Sequence, residues 1–339
     1  MFHNPPETIT TRRHTLAWLS SFALSPLAAA ASQAPSPAPA PARQLDLQGH
    51  RGARGLMPEN TLEGFAHTLS LGVTTLELDI AITRDRVPVI SHDPRLNPDI
   101  TRGPDGKFLE SPGPAIAELD FAQLAAYDVG RIKPYSRYAR QFADQRAVDG
   151  ARIPRFADLV ALVRRMGKDN VRFAIETKVD PTRPEDTLPV EEFTRIVIEV
   201  IRTHGIAARS SVLSFDWRTL RQVAREAPEL ATVHLSIEQP SFHTLRPGSP
   251  WTAGFDPAAY PSVPRLIKAA GGQTWSCFHG NLDAPRIQEA HELRLKVLAW
   301  TVNDAPRMEA LIDLGVDGIV TDRPDRLRSV MAARGIALP

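Results

Sequence analysis

From residue 45 to the end of the chain, short apolar runs alternate with amphipathic stretches, and that alternation limits the possible folds more than any other feature. The runs at 45–48, 75–82, 87–91, 172–177, 211–214, 232–236, 274–276, 296–301 and 318–320 read as strands. Helical periodicity occupies 61–71, 156–166, 190–204, 217–226, 264–270, 284–293, 306–314 and 325–333. Parallel strands need a crossover between them, and a helix is the usual crossover, so the pattern predicts βα units on a parallel sheet. Taking 87–91 as a hairpin extension of the second strand leaves eight strand–helix units, the count of a TIM (β/α)8 barrel. An open, doubly wound sheet is the alternative. Residues 95–153 break the rhythm with Pro, Gly and Tyr, and read as an insertion after the second strand region, lying over the barrel mouth.

Ahead of this domain, Arg12-Arg13 introduces a mildly apolar stretch ending in Ala28-Ala29-Ala30-Ala31-Ser32, an A-x-A-like cleavage site. Residues 1–31 therefore read as an export signal that resembles the bacterial twin-arginine type. Residues 32–43, rich in Pro and Ala, read as a stiff extended linker. The folded domain is expected over 44–339, exported and periplasmic. No further stretch is long and apolar enough for a stable membrane span in the mature chain.

Composition removes other classes. The net charge of +1, without a basic stripe, gives no electrostatic footprint for nucleic acid. Cys277 is the single cysteine, which excludes an internal disulfide and multi-cysteine metal sites. No G-x-S-x-G elbow or P-loop occurs, so serine-hydrolase and P-loop chemistry lack support.

The chemistry-bearing residues fall at predicted strand ends. His50-Arg51-Gly52 follows the first strand, Glu77 and Asp79 lie two apart on the second, His92-Asp93 ends its extension, and Glu176 and Lys178 end the next. Residues two apart on a strand share a face, and the C-terminal strand ends of a barrel meet at one mouth. Three carboxylates at one mouth call for a hard cation to neutralise them. A metal beside Arg and Lys suits a phosphate, and two histidines can serve as acid and base.

His50-Arg51-Gly52 with Pro58-Glu59-Asn60-Thr61, then Glu77-Leu78-Asp79, His92-Asp93, Ile175-Glu176-Thr177-Lys178, Trp300-Thr301-Val302-Asn303 and the closing 315–324 segment resemble the glycerophosphodiester phosphodiesterase family. The resemblance runs from about residue 48 to 327. It implies a TIM barrel that hydrolyses small glycerophosphodiesters to an alcohol and sn-glycerol 3-phosphate with one divalent cation, Ca2+ or Mg2+. By position it implies His50 and His92 as the acid/base pair and Glu77, Asp79 and Glu176 as metal ligands. Arg51 and Lys178 would contact the phosphate, with Trp300 lining the mouth against the glycerol or alcohol. The turn Asp85-Arg86 departs from the family's Asp-Gly, which should change the turn type rather than the chemistry.

Plainer roles compete for several of these residues. Lys178 can simply neutralise Glu176, Trp300 can be core packing, Asn60 is expected to cap or orient the 61–71 helix, and Glu59 to support the histidine loop. Cys277 is expected to be buried and inert, with His279 near the pocket rim. Two other functions remain open on sequence alone. One is a lysophospholipase D-like or phospholipase-like phosphodiesterase, if 95–153 supplies an apolar groove; the other is a non-catalytic barrel that binds phosphodiesters.

Overall fold

In a computed structural model of the chain, the described residues are 44–339 together with Ala17, so the expected export signal and linker lie outside them. In chain order the first half contains β1 (Asp46–Gly49), α1 (Leu62–Leu71), β2 (Thr75–Ile82), β3 (Pro88–Ile90), α2 (Phe121–Leu124), α3 (Arg137–Gln141), α4 (Phe156–Arg165) and β4 (Arg172–Thr177). It continues with α5 (Val190–Thr203), β5 (Ser210–Ser214), α6 (Trp217–Glu226), β6 (Ala231–Ser236), β7 (Glu238–Gln239) and β8 (Phe242–His243). The chain ends with α7 (Val263–Ala269), β9 (Thr274–Phe278), α8 (Ala284–Glu292), β10 (Lys296–Trp300), α9 (Ala305–Leu314), β11 (Gly318–Thr321) and α10 (Pro324–Ala333).

Eight parallel strands, β1, β2, β4, β5, β6, β9, β10 and β11, pair in that order, and β11 returns to β1, closing the barrel. The antiparallel β3 folds back on β2 as the expected hairpin extension. The fold is therefore the TIM barrel rather than the open sheet. Strand alternation explains its layers. On β2, Leu76, Leu78 and Ile80 join the core beneath the helices, leaving Glu77 and Asp79 to the opposite, barrel-interior face. Helix α5 buries Phe193, Val197, Ile198 and Ile201 on one stripe, each contributing roughly 1.5–3 kcal/mol by leaving water. Inside the barrel, Ala174, Leu213, Val233, Leu235 and Leu298 form a smaller apolar layer.

The insertion has its own small core, in which Leu96, Ile116, Leu124, Val129 and Ile153 pack against Ala81 and Val89 of the β2–β3 hairpin. Most of its apolar side chains are thus used internally, whereas Tyr135 is exposed. A second excursion, between β6 and α7, carries the β7–β8 hairpin and Trp251; strands of two residues are too short to register as periodicity. At the Asp85-Arg86 turn, Arg86 adopts φ 66°, the left-handed conformation that glycine takes without strain.

Candidate active site

Register assembles the site. Asp79 and Glu176 are direct partners on β2 and β4, and Glu77 is the partner of Ala174. Adjacent parallel strands are about 4.8 Å apart, so inward carboxylates at these positions meet. Ligand oxygens of Glu77, Asp79 and Glu176 all lie within 4.8 Å of one another, and all three residues are buried. One residue beyond β1, His50 continues the register between β2 and β11. Its backbone N–H donates to Thr321 O at 2.9 Å, its Nε2 lies 3.9 Å from Glu77 Oε2, and its Nδ1 is 2.6 Å from Asp322 Oδ1.

Residues 51–53 then run through three successive left-handed conformations, with Arg51 at φ 50°, Gly52 at 71° and Ala53 at 59°. Non-glycine residues hold such angles only where neighbours over-determine them. Here the Arg51 N–H donates to Glu77 Oε2 at 3.0 Å, and Asn60 N–H to Arg51 O at 2.9 Å. The Arg51 guanidinium donates to Glu59 at 3.0 Å and lies 3.5 Å from Asp79, so Glu59 supports this loop as expected. Asn60 is a correction. Thr61 is the α1 cap, accepting from Gly64 N–H at 3.1 Å, whereas Asn60 donates through Nδ2 to Asp79 at 2.9 Å.

Lys178 bonds Glu176 at 2.7 Å and sits 3.6 Å from Asp79 Oδ1. That Asp79 oxygen is buried and accepts no hydrogen bond. A buried carboxylate oxygen that accepts no hydrogen bond, within an all-oxygen cluster, fits a hard divalent cation. Burial first, and then the charges of Asp79 and Glu176, push the Glu77 carboxyl well above the ordinary range; burial also raises Glu176 despite Lys178. A cation is what would let all three ionise together. Burial opposes the Lys178 charge, but Glu176 and Asp79 outweigh it and hold its pKa up.

Both histidines share one arrangement. His50 Nδ1 faces Asp322, and His92 Nδ1 faces Asp93 Oδ1 at 2.8 Å, with Asp93 itself held by Asn97 Nδ2 at 2.7 Å. A carboxylate oxygen accepting at Nδ1 favours the neutral tautomer that carries its proton there and leaves Nε2 as an acceptor. Burial lowers the His50 pKa to about 4, against the pull of Asp322. His92 is lowered by burial and then by Arg51 and Lys178. Asp322 stays ionised because Arg54 and His50 outweigh its burial.

These groups surround one cavity of about 140 Å³. Its polar wall carries His50, Arg51, Arg54, His92, Glu176 and Lys178. Its opposite wall is apolar, from Leu213, Phe215, Leu235 and Trp300. Trp300 packs edge-on against Phe215 at 5.4 Å, and its buried indole N–H has no acceptor, so it is cavity lining with a free donor rather than plain core. None of the lining residues comes from 95–153, so the insertion flanks the cavity instead of roofing it. Asp322, Asn303 and Arg54 join the site although sequence reading left them without roles. Asn303 bonds Asp322 through Nδ2 at 2.6 Å, and Arg54 bonds Asp322 Oδ1 at 2.7 Å. Their signal lay in the Trp300–Asn303 and 315–324 motifs, whose partners only barrel closure reveals. Cys277 is fully buried, its thiol pushed up to about 12 chiefly by that burial, and His279 is tied to Arg307 Nε at 3.3 Å.

A TIM barrel that gathers cationic groups, paired histidines and a carboxylate cluster at its C-terminal mouth has the parts to bind an anionic ester beside a cation. Residues 50–326 match the Glycerophosphoryl diester phosphodiesterase family, and the chain belongs to that family. It is a phosphoric diester hydrolase. A glycerophosphodiester phosphodiesterase of Caldanaerobacter subterraneus subsp. tengcongensis is 25% identical over 84% of this chain and 97% of the relative. A solved structure from Silicibacter pomeroyi DSS-3, provisionally named a glycerophosphoryl diester phosphodiesterase, is 36% identical with TM-score 0.79, covering 88% of this chain and 96% of that one. An Oleispira antarctica phosphodiesterase, solved with the product sn-glycerol-3-phosphate, shares the fold at 20% identity and TM-score 0.62, covering 86% and 97%.

Proposed function

We propose that the protein hydrolyses glycerophosphodiesters to an alcohol and sn-glycerol 3-phosphate, with His50 and His92 moving the protons. The observation that carries this reading is the matched pair of histidines, each held through Nδ1 by a carboxylate and lining the same cavity as Arg51 and Lys178. Glu77, Asp79 and Glu176 would hold one divalent cation, Ca2+ or Mg2+, which supplies Lewis-acid neutralisation of the phosphoryl oxygens. Arg51 and Lys178 add fixed positive charge there, lowering the repulsion met by an attacking oxygen.

Without substrate both imidazoles are neutral at pH 7, because burial holds their pKa values down. A free Nε2 accepts the proton of the attacking hydroxyl, from water or from the substrate's own glycerol. The bound anionic phosphodiester raises the pKa of the ring beside the leaving oxygen, which takes a proton from solvent and enters the reaction as an imidazolium while the other ring stays a neutral base. As the P–O bond to the alcohol breaks, that imidazolium gives its proton to the leaving alkoxide, and the ring that took the nucleophile's proton releases it to solvent afterwards. Asp322 and Asp93 hold the rings in the productive tautomer.

The apolar wall of Phe215 and Trp300 suits the carbon skeleton of glycerol or of the leaving alcohol. It continues through Phe242, 5.4 Å from Phe215 and 37% exposed, and this is the one feature favouring a lysolipid substrate. The apolar groove that reading sought in the insertion finds little support, since most of its apolar side chains pack in its own small core or against Arg54 and none lines the cavity. The retained acid/base and ligand groups speak against a purely binding role. Export by the twin-arginine-like signal completes the proposal and rests on the sequence of residues 1–31. Product analysis tests the bond specificity: glycerophosphocholine should yield choline and sn-glycerol 3-phosphate. Phosphocholine and glycerol as products, or turnover of lysophosphatidylcholine alone, would overturn it.

A further inference from the structure

The insertion contributes nothing to the cavity lining, yet one arm of it, residues 138–146, grips the loop that carries Arg51 and Arg54. Gln145 Nε2 donates to Arg54 O at 2.7 Å, and Arg146 N–H donates to Leu56 O at 2.9 Å. The Arg54 guanidinium lies 4.7 Å above the Phe142 ring and 6.0 Å from that of Tyr138, and these two rings pack edge-on at 4.8 Å. Tyr138 is the centre of the arrangement. Its hydroxyl donates to Glu59 Oε2 and accepts from Arg54 NH1 at 3.1 Å.

Two lines of contact leave that hydroxyl and end on the reacting groups. Through Glu59 Oε1 the first reaches the Arg51 guanidinium at 3.0 Å. Through Arg54 Nε and Asp322 Oδ1, at 2.7 Å, the second reaches His50 Nδ1 at 2.6 Å. The loop needs such support. Arg51 and Ala53 sit at positive φ, a conformation costing about 1–2 kcal/mol at each non-glycine residue unless surrounding contacts impose it.

We propose that the 138–146 arm is a clamp on the phosphate-binding loop, with Tyr138 a positioning residue that sets Arg51 through Glu59 and His50 through Arg54 and Asp322. The inference rests on the reading of Arg51 as a phosphate contact and His50 as a proton carrier. It gives the insertion a function in the reaction without contact to the substrate. Loss of the hydroxyl frees Glu59 and Arg54 together, so both reacting groups loosen at once.

The test is Tyr138→Phe in the full chain, assayed on glycerophosphocholine with Mg2+, beside calorimetric binding of inorganic phosphate. The clamp predicts KM raised through Arg51 and kcat lowered through His50, with kcat/KM down about tenfold and phosphate bound several-fold more weakly. General structural support would instead lower the active fraction, reducing kcat at unchanged KM. Unchanged KM and unchanged phosphate affinity overturn the proposal. Arg54→Lys serves as a second variant, because it loses the Nε–H to Asp322 yet keeps a cation; the double variant should be no worse than the worse single one. If the wild-type protein turns over no diester, the functional reading fails and phosphate binding alone decides. Weaker binding in Tyr138→Phe then supports the clamp, and equal binding, or none by the wild-type protein, removes it.

Discussion

His50 Nδ1 and Asp322 Oδ1 stand 2.6 Å apart although 272 residues separate them in the chain. The contact exists because β11 closes the barrel against β1, with Gly49 paired to Thr321, so the next residue on each strand meets its counterpart. Asp322 in turn is held by Asn303 and Arg54, which leaves His50 one ring orientation. Asp322→Asn keeps the side-chain shape and removes the charge that fixes the tautomer. The expected result is kcat reduced roughly 10- to 100-fold with a modest change in KM, measured by steady-state kinetics.

Metal binding should be visible in stability. Burial and the carboxylate neighbours push the Glu77 carboxyl up, so protons compete with a divalent cation for its oxygens. Affinity therefore falls as pH drops, because protons compete for the same oxygens. At about 100 times the dissociation constant, Ca2+ or Mg2+ should stabilise the chelator-stripped protein by about 2.7 kcal/mol, raising its unfolding temperature by about 5 °C. Glu77→Gln should abolish that rise. A metal-independent unfolding temperature would count against the cluster as a cation site.

His234 carries a separate acid sensitivity. It is buried on β6 against the Trp217 ring at 5.0 Å, its Nδ1 has no partner, and burial lowers its pKa to about 4. Between pH 6.5 and 4 the unfolded chain binds a proton that the folded ring refuses, so stability falls as pH falls. The loss between pH 7 and pH 5 is about 2 kcal/mol. Denaturant melts of His234→Gln at those two pH values should show a correspondingly smaller drop than the wild-type protein.

Arg86 holds φ 66° in the turn between β2 and β3, with an exposed ion pair to Glu192 and an exposed hydrogen bond to Arg84 O at 2.6 Å to set against the strain. Exposed pairs contribute about 0–1 kcal/mol, and relief of a left-handed non-glycine residue about 1–2 kcal/mol. Arg86→Gly should therefore leave stability unchanged or raise it by up to about 1 kcal/mol, with activity unaltered. A clear destabilisation would show that the Arg86–Glu192 pair matters more than its exposure implies.

Local pattern was enough for the barrel, since each strand and helix carries its own periodicity, and for Glu77 and Asp79, whose spacing of two places both on one face. His50 and His92 were legible through their motifs and strand-end positions. Partners that depend on closure were not: nothing in the neighbourhood of Asp322 says that its strand lies beside β1. Asn60 shows a subtler limit, because an Asn directly before a helix satisfies the capping pattern, yet Thr61 takes the cap and frees Asn60 for Asp79. Residues 95–153 lack periodicity, so their small core and the reach of Tyr138 to Glu59 come from tertiary packing alone.

The central claim, a metal-dependent phosphodiesterase whose histidines move the protons, meets its most direct test in one assay. Chelator-stripped protein is given glycerophosphocholine with Ca2+, with Mg2+ or with neither, and release of sn-glycerol 3-phosphate is followed for the wild-type chain, His50→Ala and His92→Ala. The account predicts turnover only with added metal, and its reduction by at least about 100-fold in each histidine variant. Turnover that survives chelation, or that persists in a folded His50→Ala protein, would contradict it.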